Sequence, residues 1–132
     1  MDASSQILQF GGSLIAIFAL FLLARALKLG GKPRLQSAEE VKHAAAEVID
    51  GFEAVRTSIA RDGKAALASD KAGQIMLIKL HGNHFAGRIL TQTARVREEV
   101  DGLIVESGET QFGKVRMSLS DPAYWADAIN RL

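Results

Sequence analysis

The chain contains no cysteine. That excludes disulfide frameworks, cysteine-ligated zinc, cysteine-held iron–sulfur clusters and thiol nucleophiles. It also lacks an excess of either charge: 16 Lys+Arg stand against 15 Asp+Glu, for a formal net charge of +1, so no nucleic-acid partner is expected. Signature motifs of catalysis are missing as well. The segment Gly108-Glu109-Thr110-Gln111-Phe112-Gly113 has two glycines but not the Lys-Ser/Thr end of a phosphate loop, and it opens no helix. Gly-x-Ser-x-Gly does not occur. Glu98 and Glu99 are adjacent on a strand pattern, so they point to opposite faces and cannot share a proton. Local sequence assembles no nucleophile, base and orienting group, so the chain reads as a non-enzyme needing no cofactor or metal. An active site built from distant residues stays open at this level.

What is present is unevenly placed. From Ala3 to Ala24 there is no charged residue, and the run from Leu14 to Ala24 reads as hydrocarbon. A bilayer core of about 30 Å needs roughly 20 helical residues, and residues 6–28 supply them behind a short tail, 1–5. Helix is required because lipid offers no partner to backbone N–H and C=O groups. Arg25, Lys28, Lys32 and Arg34 follow the span, whereas Asp2 alone precedes it among charged side chains. Positive flanks stay cytoplasmic, so the N-terminus is expected outside and the remainder inside. A secretory signal peptide is the rival reading: Ala24-Arg25-Ala26 resembles a cleavage site, but Asp2 stands where a basic leader is expected. Gly12 and Ala16 form a small-xxx-small pair, which suits close helix packing and a homodimer through the span.

Residues 29–36 form a basic Gly/Pro linker, in which Gly30, Gly31 and Pro33 break any continuous helix. Residues 37–132 read as one near-neutral α+β domain. Ser37-Ala38-Glu39-Glu40 is a capping box, and Val41, Ala44, Ala45 and Val48 follow at helical spacing, giving a short amphipathic helix over about 38–50 with Gly51 as its C-cap. The period then becomes two. Strands are expected over 53–60, 64–68, 74–80, 85–90, 95–100, 103–106 and 114–119, punctuated by Asp62-Gly63, Gly82-Asn83, Asp101-Gly102 and Gly108. Residues 74–80 are apolar on both faces, which marks a central strand. Asp121-Pro122 starts a final helix as N-cap and first residue, and Trp125, Ala128, Ile129 and Leu132 fall on one apolar stripe, with Trp125 as its main plug. An antiparallel meander of about seven strands followed by a helix is also the inventory of a PH-like barrel; the element count leaves closure of the barrel open.

Several side chains invite chemical readings. His81 and His84 flank a turn signal, and two histidines lack the further ligands a metal needs, so exposed rings at a hairpin are expected. His43 sits four residues from Glu39 and Glu47, the pattern of an exposed helix face. Arg95 and Arg97 share one side of a strand, and Arg88 is a candidate to join them in an anion-binding face, the alternative being a solvated sheet surface.

The stretches Gln6–Leu14, His81–Arg88 and Glu109–Gly113 resemble a group of short, uncharacterised single-pass bacterial proteins of the inner membrane. The resemblance implies an inner-membrane placement and brings no activity or catalytic residue. With the residue-level reading it leads to one expectation: a membrane-tethered interaction or assembly domain whose partners are the bilayer and another membrane protein. A lipid or small-ligand sensor and a small membrane-associated enzyme are the alternatives.

Overall fold

A computed structural model describes residues 3–26 and 33–132 of the chain. They form two separate units. The first is a single helix, α1 (Ala3–Ala26). Gln6–Ala24 is long and apolar enough to cross a membrane, and none of it is buried against protein. A helix of this kind serves as a span or as a signal sequence. Gly11 and Gly12 lie inside α1. Ser13 satisfies its hydroxyl within the helix by donating to the Gln9 carbonyl at 3.1 Å. Lys28 and Lys32 lie outside the described residues, Arg25 belongs to the last turn of α1, and Arg34 is exposed at the start of the second unit.

The second unit begins at Pro33, earlier than the composition of the linker suggests. Leu35 explains the difference: its N–H donates to the Gly63 carbonyl at 2.8 Å and its side chain is buried. Helix α2 (Ala38–Val48) follows, with the Ser37 hydroxyl accepting from the Glu40 N–H at 3.2 Å. The Glu40 carboxylate reaches one residue past the expected box and accepts from the Gln36 N–H at 3.0 Å. The helix ends at Val48 with Ile49 as C-cap, and Gly51 (φ +83°) turns the chain beyond it.

Seven strands then run as an antiparallel meander: β1 (Arg56–Ile59), β2 (Ala65–Ser69), β3 (Ile75–His81), β4 (His84–Ile89), β5 (Arg95–Glu99), β6 (Gly102–Glu106) and β7 (Lys114–Ser118). They make two sheets, β1-β2-β3-β4 and β5-β6-β7. The domain is α+β as expected, but no closed barrel forms: among the described residues no ladder joins the two sheets, and one backbone–backbone bond, from the Arg61 N–H to the Ser118 carbonyl (3.0 Å), links the turn after β1 to β7. Closure fails where residues 90–94 turn between β4 and β5 and where the last helix, α3 (Pro122–Asn130), packs on β5 and β6.

The four-stranded sheet separates two cores. Because side chains alternate along a strand, β3 sends Met76 and Ile78 toward α2 and Ile75 and Leu77 toward the second sheet and α3. Val41, Ala44 and Ala45 form the buried face of α2. Small residues let it lie close: a Cβ on Gly87 would stand 3.1 Å from both Val48 methyls. On the other side Leu67, Leu103, Val105, Met117 and Trp125 fill the space between the sheets. Within α3, Trp125 and Ile129 are buried, Ala128 packs at the margin and Ala126 joins the core. Leu132 does not; it lies beyond the end of the helix and is 39 % exposed, because the stripe continues one turn further than the helix does.

Candidate functional site

β1 positions the first polar constellation. Arg56 and Ser58 are two apart and share a face, opposite Ser69 and Leu67 of β2. This face looks toward the core that contains Leu67, so polar groups there need partners. α3 supplies them. Ser58 Oγ accepts from Trp125 Nε1 at 2.8 Å and donates toward the Asp121 carboxylate, 2.9 Å from Oδ1 and 3.0 Å from Oδ2. Arg56 Nη2 donates to Asp121 Oδ2 at 3.2 Å, and its guanidinium carbon lies 3.4 Å from the centre of the Tyr124 ring. Tyr124 meets Trp125 edge-on, with ring centres 5.3 Å apart. Asp121 occupies the N-cap position of α3 but makes no side-chain cap bond, because its carboxylate is drawn to Ser58 and Arg56. Pro122, the first residue of the helix, carries no N–H, so the first turn has one unsatisfied donor fewer.

Beside this network lies a cleft of about 510 Å³, lined by Val55, Arg56, Lys71, Tyr124, Arg131 and Leu132 among others. Val55, Tyr124 and Leu132 are exposed apolar or aromatic side chains. The cations differ in what they are free to do. Arg56 is held by Asp121 and Arg131 pairs with Asp127 at 3.1 Å, whereas Lys71 forms no ion pair among the described residues. Asp70, also in the lining, turns its carboxylate into its own loop, accepting from the Ala72 and Gln74 N–H groups at 3.0 and 2.9 Å. The opening therefore presents exposed apolar and aromatic side chains beside the one lining cation without an ion pair among the described residues, Lys71, which suits a segment carrying an apolar side chain and a carboxylate.

The three arginines considered as an anion-binding face do not share a surface. Arg95 and Arg97 lie on the outer side of the second sheet, where ion pairs Lys114–Glu106 (3.4 Å) and Arg116–Glu99 (3.2 Å) mix the charges. Arg88 belongs to the other sheet. Its Nε donates to Glu109 at 2.8 Å and its guanidinium carbon lies 5.0 Å from the centre of the Phe112 ring. Lys79 Nζ donates to the Phe112 carbonyl and stands 4.5 Å from the same ring. Arg88 and Lys79 thus strap the connection between β6 and β7, with Phe112 buried beneath it. His81 and His84 face each other across a hairpin at Gly82 (φ +64°) and both are exposed. No group of three candidate metal ligands occurs among the described residues. His43 pairs with Glu47 at 3.0 Å on the exposed face of α2.

Comparison with family models, with curated proteins and with solved structures gives no match to this chain.

The network around Ser58 was hidden from local sequence reading because its members are 63 to 67 residues apart. One signal was available: Arg56 and Ser58 alternate with Thr57 and Ile59, which face Ala68 and Ala66 on the α2 side. Ser58 therefore occupies a half-buried position on the core-facing side of a strand, and such a position requires a partner.

Proposed function

We propose that this chain is a single-pass, membrane-tethered interaction domain, with its N-terminus outside and its α+β domain on the cytoplasmic side of a bacterial inner membrane. The observation that carries the reading is α1, where the apolar side chains of Gln6–Ala24 find no protein to cover them. Exposed to water, such a surface is unfavourable by about 25 cal/mol per Å²; lipid removes that penalty. The cationic side chains at positions 25, 28, 32 and 34 support the orientation. A tether raises the effective concentration of a weak binder near its target, so a small domain with one cleft suffices. The partner is another membrane protein, and an acidic segment with an apolar anchor suits the cleft beside α3. Gly12 and Ala16, four residues apart on α1, are small enough to suit close packing of a second copy of the helix.

The test is affinity capture of the full-length protein from gently solubilised membranes, run beside Tyr124→Ala and Lys71→Glu variants. The reading predicts a defined membrane complex with the parent chain and its loss with both variants. Capture of nothing, or of the same set by all three chains, contradicts it.

A further inference from the structure

β3 and β4 place a second polar cluster on the sheet face that carries Leu77. Side chains alternate along a strand, so Lys79 and His81 follow Leu77 on that face. The register sets Arg88 opposite Leu77, Ala86 opposite Lys79 and His84 opposite His81. The face is apolar at Leu77, where the second core covers it, and basic beyond. The connection between β6 and β7 meets it there and brings Gln111 and Phe112. Lys79, His81, Ala86, Arg88, Gln111 and Phe112 line a cavity of about 290 Å³ that shares no residue with the cleft beside α3. No carboxylate is in this lining. Glu109 lies outside it, on the Nε side of Arg88 at 2.8 Å, and against Lys79 and Arg88 together it leaves the cluster net positive.

Two features separate this cluster from a solvated surface. The cations are held. Lys79 Nζ donates to the Phe112 carbonyl and stands 4.5 Å from the centre of that ring, and the Arg88 guanidinium carbon lies 5.0 Å from the same centre. Glu109 and the Gly87 carbonyl fix Arg88 further, each at 2.8 Å. A long basic side chain normally loses rotamer freedom when it grips a ligand; here the fold has already imposed much of that loss. Donors also remain. An ammonium has more N–H groups than one carbonyl uses, and the Arg88 Nη2 group is uncommitted among the described residues. The exposed His81 ring and Gln111 amide add theirs. His81 and His84 do not make a metal site: no third ligand accompanies them among the described residues, and Lys79 and Arg88 repel a cation. We propose that this cavity binds a phosphoryl group, carried by free phosphate or by a small phosphate monoester. Its donors come from β3, from β4 and from the β6–β7 connection. The oxygens of a tetrahedral phosphoryl group can meet donors from several directions, whereas a carboxylate offers its two in one plane. The volume stands at the small end of ligand pockets, so the occupant is small. Every residue of the site belongs to the α+β unit, so the proposal stands whether or not α1 crosses a membrane.

The test is nitrogen-15 NMR of the full-length chain in maltoside micelles, titrated at fixed ionic strength with inorganic phosphate, glycerol 3-phosphate or acetate. The proposal expects saturable shifts at the Gln111 and Phe112 amides and at Arg88 Nε with both phosphates, and much weaker binding of acetate. Lys79→Gln should weaken phosphate binding about tenfold, the loss of one charge-assisted bond. Because Lys79 also holds the β6–β7 connection, His81→Ala is the second variant; it leaves that contact and the Arg88–Glu109 pair in place and should weaken binding several-fold. Arg95→Ala, on the other sheet, should change nothing. Tighter binding of glycerol 3-phosphate identifies a monoester as the occupant and tighter binding of inorganic phosphate the free anion; both uphold the site. Shifts that never saturate overturn it, as do acetate binding as tight as phosphate and phosphate binding that either Lys79→Gln or His81→Ala leaves unchanged.

Discussion

Ser58 joins two elements that meet nowhere in the sequence. Its hydroxyl accepts from the buried Trp125 indole and donates to Asp121, so one small side chain fixes α3 against β1. Ser58→Ala leaves the indole N–H without its partner, at a cost of about 1–3 kcal/mol. The expected result is a lower melting temperature in detergent with an unchanged far-ultraviolet spectrum; a melting temperature equal to the parent's would remove the network from the list of stabilising contacts. Gly102 is a different case, set by space. A Cβ there would come 1.9 Å from the Met117 carbonyl oxygen of the neighbouring strand. Gly102→Ala must move β6 from β7 and should cost at least as much as ordinary overpacking, about 1–3 kcal/mol. Amide exchange should rise along β6 and β7 more than along β2 and β3.

At the level of elements, most of the fold was legible because its signals are local. The Ser37 cap, the helical spacing from Val41, the alternation of Val115 and Met117, and Pro122 each report on a few residues, and each element they announce is present. β3 could be placed inside its sheet because apolar residues on both faces need cover on both sides. Long-range closure was not legible: turn signals fix which strands pair as hairpins, yet not whether the first and last strands of the meander meet. The same limit applied to the sites. Arg88 and Arg95 carry the same charge, but a turn over residues 90–94 sends them to different sheets. Asp121 looks like a cap until Ser58 arrives from β1. The α2 interface is a prediction at this level. Ala45 is fully buried between helix and sheet, so Ala45→Leu should push α2 off the sheet and destabilise by about 1–3 kcal/mol. Limited proteolysis near residues 49–52 should then accelerate, while the second sheet keeps its amide protection.

For the whole molecule, the division of labour follows from where apolar surface goes. The α+β domain hides most of its large apolar residues in two cores on either side of one sheet. α1 hides none of its span. The first pattern is that of a unit that covers its own apolar surface, and the second is that of a helix long and apolar enough for a membrane span or a signal sequence. A signal sequence would use the same helix but release the domain on the far side of the membrane. The most direct test is therefore the side on which the domain resides. Single-cysteine variants Ser4→Cys and Ala72→Cys, expressed as full-length chains in bacterial cells, are treated with a membrane-impermeant maleimide before and after permeabilisation. The tethered, cytoplasmic-domain reading predicts that position 4 is labelled in intact cells and that position 72 is labelled only after permeabilisation, both on full-length protein. Labelling at position 72 in intact cells, or a shortened chain without α1, would contradict it.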